Sequence, residues 1–261
     1  MDLGLKGKTA LVLGASQGLG NAIARGLAAE GVNLIIASRS VDKLNAVADE
    51  IKSEHGVAVD VQSIDMTDAS SAASLCDDIR KRSDIDILIN NAGGPPPSAS
   101  TGVDDETWDK AIQSLLKSVV RITEACIEGM KQREWGRVIT IASSGVIQPI
   151  ANLALSNTVR SAIVGFSKTL ATEIAQFGIT VNLVIPGRIE TARLGELDAA
   201  RAKREGKSVD EVREAFRKVI PARRYGSPQE FADAAVFLAS ERAGYTTGHM
   251  LRIDGGMISN V

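Results

Sequence analysis

Short apolar, β-branched runs alternate with longer amphipathic segments along the chain. The runs "TALVLG", "NLIIAS", "VAVDVQSI", "IDILIN", "GRVITIA", "ITVNLVI" and "HMLRID" read as strands, because compact apolar stretches of this kind suit strands buried on both faces. Between them, apolar positions recur at helical spacing near residues 18–30, 41–54, 68–82, 105–132, 151–177 and 228–240. Strand and helix in alternation predict an α/β domain with a parallel sheet. Right-handed crossovers make that sheet doubly wound, with helices on both faces and ligands outside the carboxyl ends of the strands.

One segment interrupts the alternation. "LGELDAARAKREGKSVDEVREAFRKV", residues 194–219, is charge-rich and lies between the strand ending at Ile185 and the helix opening at "SPQEFADAAVFLAS". It reads either as solvated helix surface or as a substrate lid spanning roughly 191–220. With no repeat and no low-complexity linker, the 261 residues are expected to form one domain.

Composition narrows the partners. The chain is 44% hydrophobic and 24% charged with a formal net charge of −2, so no excess of positive charge points to nucleic acid. No run approaches the roughly 20 apolar residues of a membrane span. The opening "MDLGLKGKTALVLG" lacks a basic segment followed by an apolar stretch, and a cytoplasmic location is expected. Cys76 and Cys126 have no metal-ligand spacing and read as free thiols. A small-molecule substrate is the remaining expectation.

The first strand runs into "LGASQGLGNAIARGLAAEG". Gly14, Gly18 and Gly20, with Ser16, Gln17 and Leu19 between them, open a helix in the manner of a Rossmann dinucleotide loop, where close backbone approach and free helix amides hold a pyrophosphate. The second strand ends at Ser38 and Arg39 rather than at an acid. Arginine matches the additional phosphate of NADP, so NADP(H) is expected over NAD(H). Asp65 and Met66 follow the third strand, where Asp65 could reach adenine or cap the next helix.

These motifs, together with "NNAGG" (Asn90 to Gly94), "PGRIET" (Pro186 to Thr191), "RYGSPQEFADAAVFLAS" and "GHMLRIDGG", resemble the short-chain dehydrogenase/reductase family over essentially the whole chain. The resemblance is strongest to members like 3-oxoacyl-(acyl-carrier-protein) reductase. It implies a single-domain Rossmann fold with a seven-stranded sheet, and cofactor contacts at Asn91, Ala92, Gly93, Arg160, Pro186, Gly187, Ile189 and Thr191. It also implies a homodimer or homotetramer, with the helices at 105–132 and 151–177 and the last strand at the interfaces. Leu13 stands where the family usually has threonine.

The departure that matters is catalytic. Members of the family use a serine, a YxxxK pair and an asparagine; here Ser143 matches the serine, while Ser156, Arg160 and Leu115 replace the tyrosine, lysine and asparagine. Reduction of a carbonyl needs a hydride, supplied by the cofactor, and a proton, supplied by the protein. Serine lacks both the reach and the acidity of a phenol. It could still order a water in the space left by the ring. Arg160 falls on the same helix face as Ser156 and could hold ribose hydroxyls and stabilise a developing oxyanion, but it does not relay protons as lysine can.

Ser143, Ser156 and Arg160 are therefore the candidate catalytic residues. They fit an NADP-dependent oxidoreductase, reducing a 3-oxoacyl-like compound or another ketone with altered proton delivery. They also fit an inactive NADP-binding sensor or partner subunit. Tyr225 and Tyr245, the two tyrosines, lie in the closing segments and are expected to be partly buried in packing; His55 and His249 read as structural. Arg188 and Arg193 follow the "PG" turn and could bind an acidic substrate or a cofactor phosphate.

Overall fold

A computed structural model describes residues 1–260. Seven parallel strands form one sheet: β1 (Thr9–Leu13), β2 (Asn33–Ser38), β3 (Val59–Ser63), β4 (Ile87–Asn90), β5 (Gly136–Ile141), β6 (Ile179–Pro186) and β7 (Met250–Ile253), in the order β3-β2-β1-β4-β5-β6-β7. Strand order reverses between β1 and β4, which opens a crevice at their carboxyl ends.

Alternation along the strands explains the two layers of helices. Ala10 and Val12 of β1, with Leu34 and Ile36 of β2, face one side, while Leu11, Leu13, Ile35 and Ala37 face the other. The first side packs against α1 (Gly18–Ala29), α2 (Val41–His55) and α9 (Pro228–Ala239) through Ile23, Leu27, Leu44, Ile51 and Phe231. On the second side lie α3 (Ala69–Arg82), α5 (Ser118–Gln132) and α6 (Ala154–Ile174), contributing Leu75, Ile79, Ile122, Met130 and Ile174. Each fully buried aliphatic or aromatic side chain contributes about 1.5–3 kcal/mol. The two cysteines join this second cluster, both buried and free, and burial raises the thiol pKa of each.

The expected helix at 105–132 is continuous but not uniform. Asp104 caps α4 (Asp105–Ile112) by accepting from the Thr107 amide at 2.8 Å, and a π-turn at Gln113–Lys117 joins α4 to α5. The wide turn brings Ser114 to the main cleft and Leu115 into the apolar contact between α4 and the start of α6. Residues 194–219 are largely helical, in two pieces: α7 (Ala192–Glu205) and α8 (Val209–Val219). Gly206 breaks them apart in the left-handed conformation, and Ser208 with Glu211 forms a capping box that restarts the helix.

Among the described residues no helix is long and apolar enough to cross a membrane.

Candidate active site

A cleft of about 1170 Å³ runs along the carboxyl ends of the central strands, from Arg39 beside β2 to α7 and α8. At its first end the chain is shaped for a dinucleotide. Gly14 and Gly18 both have φ of +62°, and a Cβ on Gly14 would meet Asn91 Nδ2 at 2.6 Å. Gly20 packs directly beneath the Gly14 carbonyl. Asn91 donates to that carbonyl at 3.3 Å, so the turns after β1 and β4 are fastened together. Gln17 offers no side-chain cap to α1, and the first turn of α1 holds no acid, which leaves its amides and positive dipole end for an anion.

Arg39 and Lys43 line the same end without a carboxylate partner among the described residues. Lys43, one turn into α2, was not singled out by the sequence pattern, where it reads as ordinary helix surface. Asp65 lines the cleft and turns its carboxylate onto Thr67, whose amide and hydroxyl donate at 2.9 and 2.8 Å. Of the two roles open to it, capping α3 belongs instead to Asp68, which accepts from the Ser70 amide. Ser16, Gln17, Leu19, Ser38, Met66, Ala92, Gly93, Pro186, Gly187 and Thr191 all line the cleft. Gly20 and Ile189 do not. Gly20 is buried in α1, and the Ile189 side chain enters the core while its backbone bridges to Gly226.

The other end of the cleft is built on β5 and α6. Ser143 follows β5 in extended conformation and accepts from the Gly145 amide at 3.1 Å, which caps a short 3₁₀ turn and leaves its hydroxyl proton free for the cleft. Ser156 sits in the first turn of α6, buried against the cleft wall. Asn157 fixes that turn by bonding both backbone groups of Ile150, at 2.9 and 3.3 Å. One turn further on, Arg160 donates from Nη1 to the Ile141 carbonyl at 2.9 Å and from Nη2 to the Ala92 carbonyl at 3.0 Å. Burial lowers the Arg160 guanidinium to about 10, so it stays charged at neutral pH. Ser143, Ser156 and Arg160 thus line one cleft.

Leu115 occupies the far side of Arg160. With Asn90 it walls a cavity of about 10 Å³, room for one water at most. Ser114, Ser144 and Gln148 are further polar groups lining the main cleft that the motifs did not single out. Their only signal was proximity to the family positions.

Residues 194–219 line one end of the cleft with Leu194, Leu197, Phe216 and Val219. Their anchor is Asp198, wholly buried, which accepts from Arg188 and, at 3.2 Å, from the Tyr225 hydroxyl, while Arg213 approaches to 3.6 Å. The Arg188 guanidinium lies 3.2 Å over the Phe216 ring. Tyr225 is therefore buried in packing, as expected for a closing segment, and burial raises its phenol pKa. Tyr245 departs from the same expectation: it follows the turn after α9 and is fully exposed. Arg193 reaches across to the Pro95 carbonyl at 3.3 Å, tying α7 to the loop after β4.

A family model described as enoyl-(acyl-carrier-protein) reductase matches residues 14–258. The 3-oxoacyl-(acyl-carrier-protein) reductase of Escherichia coli K12 is 38% identical over 259 residues, 98% of this chain and 99% of that one. The chain belongs to the short-chain dehydrogenase/reductase family. D-β-hydroxybutyrate dehydrogenase of Cupriavidus necator is 36% identical over 260 residues, covering 98% and 99% of the two chains. L-sorbose reductase from Gluconobacter frateurii, solved with NADPH and L-sorbose, superposes with a TM-score of 0.94 at 33% identity over 100% of both chains. The protein is an oxidoreductase of this family, similar to its ketoreductases, and the resemblance drawn from the motifs holds along the whole chain.

Proposed function

We propose that this protein is an NADPH-dependent carbonyl reductase, acting on a 3-oxoacyl-like compound or another ketone, in which the proton reaches the substrate oxygen by way of water. The observation that carries the reading is the pairing of Ser143, its hydroxyl free, with Arg160, its charge held in place by two backbone carbonyls. Both are fixed before any substrate arrives, the condition under which donors and charges stabilise a developing oxyanion best. NADP(H) is favoured over NAD(H) by Arg39 and Lys43 at the ribose end, and solved relatives carry NADPH.

Bound NADPH supplies the hydride. Ser143 donates a hydrogen bond to the carbonyl oxygen and polarises it. Arg160 stabilises the negative charge that gathers there without giving up a proton, because its pKa lies far above neutrality. Ser156 is too short to act as the family tyrosine does and positions a water that protonates the oxygen. The helices α7 and α8 form the substrate lid, covering the reacting carbon and excluding bulk water. Family resemblance supports a homodimer or homotetramer.

A second reading, an NADP-binding protein without turnover, draws on Ser156 and Leu115, which leave no phenol and no polar anchor behind Arg160. The deciding experiment is NADPH oxidation against a panel of β-ketoacyl thioesters, ketones, aldehydes and quinones, with cofactor fluorescence read in parallel. Turnover of a carbonyl compound is the expected result. Binding of NADPH with no oxidation across the panel moves the assignment to the second reading.

A further inference from the structure

Arg160 is a mostly buried charge without a counter-ion. Among the described residues no carboxylate pairs with it, and its two hydrogen bonds go to neutral carbonyls, which leaves three of its N–H donors unassigned. Such a charge is costly in the protein interior unless something pairs with it, and the depressed pKa reports that cost. Bound NADPH would not relieve it: the features shaped for its phosphates, the glycine turn and Arg39, lie at the other end of the cleft from Arg160 at the ends of β4 and β5, and the ribose hydroxyls that Arg160 is expected to hold carry no charge.

The surrounding wall has the same sign. Lys110, Arg188, Arg193, Arg201 and Arg204 also line this end, and the one acidic residue lining the whole cleft, Asp65, stands at the opposite end. Four of these cations have carboxylate partners that sit outside the cleft: Glu106, Asp198, Glu196 and Glu205. Arg204 and Arg160 have none among the described residues. A cleft lined by one sign of charge concentrates ligands of the other.

Building on the reductase reading, we infer that the substrate is itself an anion, a short oxo acid whose carboxylate pairs with the Arg160 guanidinium and whose adjacent carbonyl oxygen faces Ser143 and the same guanidinium. The planar fork of arginine suits a carboxylate through two parallel hydrogen bonds. Arg160 is bonded to the Ile141 carbonyl, and Ser143 lies two residues further along the same backbone, so the carboxylate and the reacting carbonyl are close neighbours in the substrate. Leu194, Leu197 and Val219 receive the hydrocarbon remainder.

The test is calorimetric titration of the NADP⁺-loaded protein with 2-oxohexanoate and with its neutral amide, neither of which the oxidised cofactor can reduce. The acid is expected to bind roughly 10- to 100-fold more tightly, as for a hydrogen bond to a charged group. In Arg160→Gln the preference collapses, and in Arg160→Lys a part of it returns. Equal affinity of acid and amide in the wild type, or no binding of the acid, overturns the inference without recourse to any variant. A preference that survives intact in Arg160→Gln, with folding verified by circular dichroism, overturns the assignment to this residue. Failure of the parent reading looks different. If NADP⁺ does not bind, or the acid binds and NADPH never reduces it, the reductase reading falls, and the same titration on cofactor-free protein still decides the substrate's charge.

Discussion

The two ends of the cleft are held together in different ways. At the cofactor end, glycine turns, a strand-to-strand hydrogen bond from Asn91 and an exposed helix terminus interlock through the backbone. The other end relies on side-chain charge: Arg160 on two carbonyls, and α7 and α8 on Asp198 with its ring of Arg188, Arg213 and Tyr225. Backbone geometry tolerates little change and so keeps a recognisable sequence. Side-chain electrostatics can be rebuilt by a few substitutions, and it is at this end that the reading proposed above places Ser156, Arg160 and Leu115.

The sharpest way to break this contrast is at Asp198. Asp198→Ala leaves Arg188 and Arg213 without their carboxylate, and a loss of roughly 3–5 kcal/mol is expected from urea denaturation; unchanged stability would show that the ion cluster does not hold α7 and α8. Next in size, Ser143→Ala is expected to lower kcat about 10²- to 10³-fold with NADPH affinity intact. A variant that turns over normally would remove Ser143 from the oxyanion role. At the other end, Arg39→Asp is expected to weaken NADPH binding roughly 10- to 100-fold while NADH binding is spared, by fluorescence titration. Equal losses for both would mean that the arginine contributes only general charge.

The smallest effect is at the start of α9, where Arg224 of the preceding loop meets the first turn. Glu230 accepts from Arg224 and from the Ser227 amide, which hold its carboxyl near a pKa of about 2, below its ordinary 4.5. A depressed acid contributes stability above its unfolded pKa and loses it as pH falls through the folded one. Glu230→Gln should therefore flatten the fall in Tm between pH 4.5 and 2, by little, since the pair is exposed. Identical profiles would show that the pair is inert.

Legibility in the sequence followed the same division. Strand alternation and the glycine spacing disclosed the sheet and the cofactor end, because backbone requirements leave period and composition behind. That Ser156 and Arg160 line the cleft was legible once the motifs fixed the register. Long-range charge pairing was not. Nothing local ties Asp198 to Arg188, Arg213 and Tyr225, and nothing in α2 marks Lys43 as lining the cleft. The π-turn that divides the 105–132 helix left no sequence signal because its residues are ordinary helix formers. Tyr245 was misjudged since aromatic character predicts burial only on average.

The attachment of Arg160 bears on how such a site can change over generations. Its partners in the protein are the main-chain oxygens of Ile141 and Ala92, groups present whatever side chains those positions carry. A different residue at 160 therefore breaks no side-chain pair and leaves only those two main-chain oxygens in need of another donor, and Ser156, with no side-chain partner among the described residues, breaks none either.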